Sequence, residues 1–145
     1  HLPSLSGRGA DLGCGLGILS AAVLQSKHVT ALTLVDIDRR AVTMAERNIG
    51  DARAAFLWAD VRHDELSMEG LDFVVMNPPF HDTGMEDKSL GQRFIERSAE
   101  LLKKVGQCWL TANRHLPYEA WLDKCFARTT LVAEECGFKI YRAEK

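Results

Sequence analysis

The chain has 145 residues, of which 46% are hydrophobic and 26% are charged. This composition is typical of one globular domain, and it excludes a disordered tail, a fibre and an integral membrane protein. The formal net charge is −2, which argues against a domain that holds nucleic acid by bulk positive charge. Since no apolar run approaches the roughly 20 residues of a membrane-spanning helix, and no signal peptide is apparent, we expect a cytoplasmic protein.

Short apolar segments alternate with helical patterns along the chain. Strands are predicted at Gly7–Leu12, Val29–Val35, Ala54–Ala59, Leu71–Met76 and Cys108–Ala112. Apolar positions with helical spacing lie between most of them, at Leu19, Ala22 and Val23, at Ala41, Val42, Ala45 and Ile49, at Leu90, Phe94, Ser98 and Leu101, and at Tyr118, Leu122 and Cys125. The alternation predicts a mostly parallel sheet covered by helices on both faces, a three-layer α/β sandwich.

The last part of the chain departs from this alternation. Thr129–Ala133 and Phe138–Ala143 read as strands, and the short Glu-Glu-Cys-Gly segment between them leaves no room for a crossover helix. We therefore predict an antiparallel hairpin that completes a seven-stranded sheet. The hairpin alone does not distinguish a particular fold family from an ordinary edge hairpin.

A glycine-rich loop follows the first predicted strand. Its glycines are Gly13, Gly15 and Gly17, each two residues from the next, and Asp11 precedes them. The dinucleotide fingerprint instead places its third glycine three residues after the second. Glycines let the backbone turn sharply and approach a ligand, and the N–H groups at a helix start favour a carboxylate such as that of a methionine moiety. The alternative is a strand-to-helix turn without a ligand.

Acidic residues follow the next two strands at the same predicted sheet edge. Asp36 ends the second strand, where its carboxylate can accept hydrogen bonds from two ribose hydroxyls. Asp60 closes the third strand and can accept a hydrogen bond from an adenine amine, although a single Asp after a strand is more often a turn residue. Asp38 is interpreted as a helix N-cap. Open α/β sheets bind ligands at this edge.

The most specific pattern is Asn77-Pro78-Pro79-Phe80, directly after the fourth strand. An exocyclic amine of a base is a poor nucleophile because its lone pair is delocalised into the ring. The Asn77 side-chain oxygen and the Pro78 carbonyl can each accept one N–H of such an amine and align its lone pair. Paired prolines hold the backbone rigidly, and Phe80 can stack on the base. In most proteins, however, Asn-Pro-Pro is only a turn.

The order of these motifs resembles class I methyltransferases that modify exocyclic or amide nitrogens. Within that class, Asn77 to His81, Ala112–Leu116 and Phe138–Ala143 are similar to segments of the bacterial ribosomal RNA guanine-N2 methyltransferases. The resemblance covers essentially the whole chain. It implies a Rossmann-like methyltransferase fold, S-adenosylmethionine as cofactor, S-adenosylhomocysteine as product, and ribosomal RNA or a ribosomal subunit as partner.

The resemblance also implies a set of site residues. Catalysis is expected at Asn77, Pro78, Pro79 and Phe80, and cofactor binding at Asp11, Gly13, Cys14, Gly15, Gly17, Asp36, Ile37, Asp60, Val61 and Asn77. His81, Asn113, Arg114 and His115 are candidate substrate contacts. Cys14 has no evident His partner and is interpreted as a small packed residue rather than a nucleophile. No metal is expected, because the polar loop after Phe80 matches no usual ligand spacing.

Proteins of this type carry an additional N-terminal domain, and a segment before the first strand covers the cofactor. We therefore expect residues 1–145 to be the methyltransferase catalytic domain of a longer protein. Three alternatives stay open at this point. In the first, the methyl acceptor is an adenine amine or a protein glutamine amide instead of a guanine amine. In the second, the protein is a nicotinamide-dependent oxidoreductase. In the third, it is a non-catalytic methyltransferase-like binding domain.

Overall fold

The computed structural model describes residues 3–79 and 85–145, except for the side chains of residues 85–88. The strands are β1 (Gly7–Leu12), β2 (Val29–Asp36), β3 (Ala54–Trp58), β4 (Leu71–Met76), β5 (Leu102–Asn113), β6 (Arg128–Glu135) and β7 (Phe138–Glu144). The helices are α1 (Ile18–Val23), α2 (Arg39–Asn48), α3 (Met85–Leu101) and α4 (Glu119–Cys125). No helix in these ranges combines the length and apolar character needed to cross a bilayer.

The seven strands form one sheet in the order β3-β2-β1-β4-β5-β7-β6. All neighbouring pairs up to β5 are parallel, and β7 runs antiparallel to both β5 and β6. The predicted parallel sheet and C-terminal hairpin are therefore confirmed. Since β7 is inserted between β5 and β6, the sheet also differs from the all-parallel order of a dinucleotide-binding fold.

Two apolar cores cover the two faces of the sheet. Alternate residues of the central strands point to opposite faces, so that Leu12 and Met76 belong to the core beneath α3 and α4, while Val75 belongs to the core beneath α1 and α2. The helix-period positions on α3 are confirmed, because Phe94, Ser98 and Leu101 are all buried. The result is the expected three-layer sandwich.

The start of β5 is the one strand boundary that differs from its prediction by more than two residues. β5 begins at Leu102, six residues before the predicted start at Cys108, and its register with β4 shifts between Leu71 and Phe73. Leu71 pairs with Leu102, whereas Phe73 pairs with Gln107. The irregular stretch includes Val105, which has a positive φ of 63°. A polar, bulged segment has no strand-like alternation, which explains why the pattern failed to show it.

Candidate active site

The glycine loop joins β1 to α1 and is tied to the neighbouring strand by backbone hydrogen bonds. The N–H groups of Gly13 and Cys14 donate to the carbonyl of Val35 at 2.8 and 2.9 Å. The N–H of Gly15 donates to the Asp36 carboxylate at 2.9 Å. The loop amides of these residues thus shape the loop, and the expected carboxylate site at the start of α1 stays a prediction.

Asp36 sits at the end of β2 and stabilises two turns at once. One carboxylate oxygen accepts the Gly15 N–H, and the other accepts the N–H of Asp38 at 2.9 Å. Because a carboxylate oxygen has two lone pairs, both oxygens retain capacity for a ligand hydroxyl. The predicted N-cap is confirmed, since Asp38 accepts the N–H of Arg40 at 2.9 Å.

Asp11 is a buried carboxyl group beneath the loop. Its side chain is 1% exposed and accepts a hydrogen bond from the Ser20 hydroxyl of α1 at 2.6 Å. Burial raises the pKa of Asp11 to about 7, although the Ser20 hydrogen bond opposes the shift. The sequence analysis did not identify Ser20, because a serine nine residues away carries no signal of this contact.

Asp60 lies where it was predicted, but a neighbouring cation already holds its carboxylate. Arg62 donates to it through Nε and Nη2, both at 3.0 Å. This side-chain hydrogen bonding is the largest cause of the lowered pKa of Asp60. Arg62 also lines the cavity beside Asp60, and the sequence analysis missed it as a site residue.

Asn77 follows β4 with an exposed side chain, while Pro78 is buried and Pro79 is half-buried. No hydrogen-bond partner for the Asn77 amide is present among the side chains and backbone that the structure describes. Its amide therefore does not point into the core. The predicted catalytic residue Phe80 and the candidate contact His81 lie outside the described residues.

Two cavities meet at Gly13 and Asn77. The first has a volume of about 210 Å³ and is lined by Gly13, Asp36, Ile37, Asp60, Val61, Arg62, Asn77, Pro79, Leu90 and Phe94. The second, of about 460 Å³, is lined by Asp11, Gly13, Cys14, Gly15, Leu16, Ile18, Leu19, Ala22, Asn77 and Thr111. Together their volumes fall in the usual range of small-molecule sites. All the predicted cofactor residues except Gly17 line one or both cavities.

The remaining candidates are placed as follows. Burial raises the pKa of the Cys14 thiol to about 12, which makes it a poor nucleophile. Asn113 ends β5 at the same sheet edge as Asn77, and its side chain accepts the N–H of His115 at 3.1 Å. Arg114 and His115 are both exposed.

Among the described residues, no group of three His, Cys, Asp or Glu side chains is arranged to hold a metal ion.

Curated relatives align with nearly the whole of this chain and are themselves much longer. Proteins named ribosomal RNA small subunit methyltransferase C are 34% identical over 143 residues in Shewanella oneidensis and 36% identical over 139 residues in Alcanivorax borkumensis. The alignments cover 97% and 94% of this chain, but only 41% and 42% of those proteins. The chain therefore spans less than half the length of these relatives.

Solved structures match the fold closely. A T. thermophilus 16S rRNA N2 methyltransferase in complex with AdoMet and guanosine superposes with a TM-score of 0.82 at 27% identity, over 95% of this chain and 37% of that one. Mitomycin 7-O-methyltransferase superposes with a TM-score of 0.75 at 19% identity, over 98% of this chain and 50% of that one, a likeness of fold alone. Residues 1–142 match the family model described as Methyltransferase small domain. The chain belongs to this methyltransferase family.

Proposed function

We propose that residues 1–145 form the catalytic domain of an enzyme that methylates the exocyclic N2 amine of a guanine in ribosomal RNA, with S-adenosylmethionine as donor. The observation that carries this proposal is the position of Asn77, whose exposed amide has no hydrogen-bond partner among the described residues and stands where the two cavities meet. The names of the relatives, and the guanosine and AdoMet in the solved T. thermophilus complex, support this choice of substrate and cofactor.

The residues around the two cavities fit the proposed cofactor. Asp36 and Asp60 would accept hydrogen bonds from ribose hydroxyls and an adenine amine, with Ile37 and Val61 as apolar walls of the first cavity. The glycine loop would lie against the methionine part in the second cavity. A Cβ added at Gly15 would meet no atom of the described residues within 4 Å, apart from its two chain neighbours, so the loop leaves open space on that side. S-adenosylmethionine would supply a methyl group on a positively charged sulfur, and S-adenosylhomocysteine would be the product.

The acceptor amine would be held by fixed oxygen atoms beyond β4. Asn77 Oδ1 and the Pro78 carbonyl would each accept one N–H of the guanine amine, which pyramidalises the nitrogen and aims its lone pair at the methyl carbon. This arrangement lowers the barrier by alignment and electrostatic preorganisation. The new N–C bond would form as the S–C bond of the donor breaks, and the nitrogen would then lose one proton to solvent. No dedicated base is needed before transfer.

The net charge of −2 suggests that much of the RNA affinity comes from outside this chain. We infer a further domain in the full-length protein, consistent with the 41% of the S. oneidensis relative that the chain covers. A base amine hidden by pairing and stacking must be exposed or flipped before it can reach Asn77. An enzyme with this substrate would work beside ribosomes in the cytoplasm.

The test is to incubate the full-length protein with radiolabelled S-adenosylmethionine and undermethylated ribosomal subunits, and then to digest the RNA to nucleosides. We expect label in N2-methylguanosine. Label in an adenine nucleoside or in protein would identify one of the alternative acceptors, and no transfer despite cofactor binding would favour a non-catalytic domain.

The role of Asn77 is tested with two variants in the same assay. Asn77→Ala should lower kcat by about a hundredfold to a thousandfold, the usual effect of removing one preorganised polar group from a reacting centre. Gln25→Ala, which removes an exposed amide beyond the end of α1, is the matched control and should be as active as the wild type. Equal activity of Asn77→Ala and wild type would overturn the proposed mechanism.

A further inference from the structure

Trp58 is an unusually exposed aromatic residue at the end of the edge strand β3. The residue is 59% exposed, although a tryptophan buries more apolar area than any other side chain when it is covered. Its orientation is fixed, because the ring N–H donates to the carbonyl of Ile37 at 2.8 Å. Ile37, whose carbonyl accepts this hydrogen bond, is also exposed, and both residues line one cavity, so they form a contiguous apolar patch of the kind that marks a binding site.

One face of this ring is covered by a cation. The guanidinium carbon of Arg39, at the start of α2, lies 5.4 Å from the Trp58 ring centroid. No carboxylate among the side chains that the structure describes pairs with Arg39, whereas its neighbour Arg40 pairs with Asp38 at 3.4 Å. Arg39 therefore keeps its guanidinium available for an anion beside the ring.

A separate cavity of about 330 Å³ adjoins Trp58. It is lined by Ile37, Trp58, Ala59, Asp60 and Asp64, and it shares Ile37 and Asp60 with the proposed cofactor cavity. Asp60 is assigned above to the cofactor, so the acceptor that this cavity offers is Asp64, whose Oδ2 accepts the Asp60 N–H at 2.7 Å. Apolar walls with one carboxylate acceptor suit a flat, uncharged base that carries N–H donors. The carboxylates of this cavity repel a phosphate group. A phosphate of the RNA would instead contact the guanidinium of Arg39.

The distance from this surface to Asn77 suits one continuous RNA strand. β3 and β4 are separated by β2 and β1, so three strand spacings, or about 14 Å, lie between their ends. At about 3.4 Å per stacked nucleotide, this corresponds to about four nucleotides.

We propose that Trp58 and Arg39 bind an unpaired nucleotide of the same RNA that presents its guanine to Asn77, an inference that rests on the proposed function. The base stacks on the Trp58 ring face opposite Arg39, and Arg39 contacts a phosphate of the same strand. An aromatic face with an adjacent guanidinium is the usual construction of a single-stranded RNA contact.

The experiment compares full-length Trp58→Ala and Trp58→Phe with wild type, and measures the KM for undermethylated ribosomal subunits and the Kd for S-adenosylmethionine. Trp58→Ala should raise the RNA KM between about fivefold and about a hundredfold, the range that loss of one stacked base gives. Trp58→Phe should recover most of the affinity. The cofactor Kd should agree within about twofold between Trp58→Ala and Trp58→Phe, because both lose the N–H that contacts the Ile37 carbonyl at the cofactor cavity and they differ only in the aromatic ring.

Arg39→Gln and Arg40→Gln form a matched pair, since both remove one positive charge from adjacent positions of α2. Arg39→Gln should raise the RNA KM by at least about threefold, and Arg40→Gln should change it much less. An unchanged RNA KM for Trp58→Ala, or a rise in its cofactor Kd that matches the rise in RNA KM and is absent from Trp58→Phe, would overturn the inference. Direct RNA binding by the variants distinguishes this failure from a failure of the proposed function, in which wild type would bind RNA without methylating guanine N2.

Discussion

Arg62 holds the carboxylate of Asp60 in a fixed orientation at the end of β3. Nε and Nη2 of Arg62 each donate to a different oxygen of Asp60 at 3.0 Å, and the backbone N–H of Arg62 donates to Oδ1 at 2.9 Å. The carbonyl of Arg62 in turn accepts a hydrogen bond from Arg93 of α3 at 3.1 Å. Asp60 is therefore both charged and oriented before any ligand arrives.

Replacing Arg62 should weaken the cofactor site without removing the carboxylate. Arg62→Met frees the Asp60 side chain, and we expect the affinity for S-adenosylmethionine to fall about tenfold, because an oriented acceptor becomes mobile. Loss of Arg62 also lets the pKa of Asp60 rise towards its ordinary value, so the acid limb of the binding curve should move to higher pH. Isothermal titration calorimetry over a range of pH measures both effects.

Arg62→Lys keeps the charge but loses the two-pronged contact, and it should recover only part of the affinity. Arg47→Met, at an exposed position in the last turn of α2, is the control and should bind like wild type. If Arg62→Met bound the cofactor normally across the whole pH range, Asp60 would not need this positioning.

Asp11 should make the stability of the fold depend on pH. Burial raises its pKa from 3.8 in the unfolded chain to about 7 in the folded protein. Between these values the folded protein keeps a proton that the unfolded chain has lost, so the contribution of Asp11 becomes less favourable as pH rises. Across this pH range the free energy of unfolding loses about 4 kcal/mol through Asp11, and above about pH 8 the contribution of Asp11 no longer changes.

Asp11→Asn removes this titration while keeping a similar shape. We expect the free energy of unfolding of Asp11→Asn, minus that of wild type, to increase between about pH 4 and pH 7. This difference should stay constant above about pH 8. Urea unfolding at several pH values measures the difference between the two proteins, in which the carboxylates they share cancel. Asp123→Asn, at an exposed position on α4, is the control. A difference that does not vary with pH would show that Asp11 is not held as a buried acid.

The periodic parts of the fold were predictable from the sequence because burial imposes periodicity. The β4 segment is apolar over nearly its whole length, and its burial on both sheet faces confirms the prediction. Asp38 was identified as an N-cap because a side-chain oxygen directly before a helix has one common role. Antiparallel pairing of the last two strands followed from the shortness of their connection.

The contacts that support the site were not predictable in the same way. Ser20 reaches Asp11 only because α1 packs over the end of β1, and Arg62 reaches Asp60 only in the turn that follows β3. The contact between Ser20 and Asp11 has no characteristic spacing. The Asp-X-Arg spacing of Asp60 and Arg62 recurs at Asp38–Arg40 and Asp51–Arg53, where the Asp side chain again accepts the backbone N–H of the Arg, and only the fold shows that the pair at Asp60 lies beside a cavity. The exposure of Trp58 was also missed. The apolar sequence of β3 indicates a buried strand, and the sequence does not show that β3 is the outermost strand of the sheet.

Gly15 should matter for ligand binding more than for folding. Its φ is +53°, and a Cβ at this position would meet nothing within 4 Å in the part of the chain that the structure describes, apart from the two neighbouring residues. Gly15→Ala should therefore cost only about 1 to 2 kcal/mol in unfolding free energy, the usual cost of a left-handed backbone with a Cβ. The new methyl group would project into the open space beside the loop, and we expect the cofactor affinity to fall by at least about tenfold.

Gly70→Ala provides the matched control for this strain. Gly70 has a φ of +64° and open space around a Cβ, but it precedes β4 at the opposite edge of the sheet. Both variants should lose similar stability in urea unfolding, and only Gly15→Ala should lose affinity in calorimetry. Equal cofactor affinity of the two variants would place the ligand away from Gly15.

Tyr141 connects β7 to the first turn of α4 through a shared acceptor. Its buried hydroxyl donates to Oε1 of Glu119, and Lys139 Nζ donates to the same oxygen at 2.9 Å. Burial, followed by the hydrogen bond to Glu119, raises the pKa of Tyr141, so the phenol stays protonated and remains a donor at neutral pH. Tyr141→Phe should lower the free energy of unfolding by about 1 to 2 kcal/mol, because Glu119 is only partly buried and regains some hydration.

The pairing itself is measured by a double-mutant cycle of Tyr141→Phe with Glu119→Gln, in which urea unfolding of the four proteins gives the interaction energy. We expect a coupling of about 1 kcal/mol, since residues in direct contact do not act additively. A cycle of Tyr141→Phe with Glu65→Gln, an exposed glutamate in the segment after β3, should show none. Additive effects in the Glu119 cycle would mean that the phenol contributes to stability through packing alone and that β7 docks against α4 without this hydrogen bond.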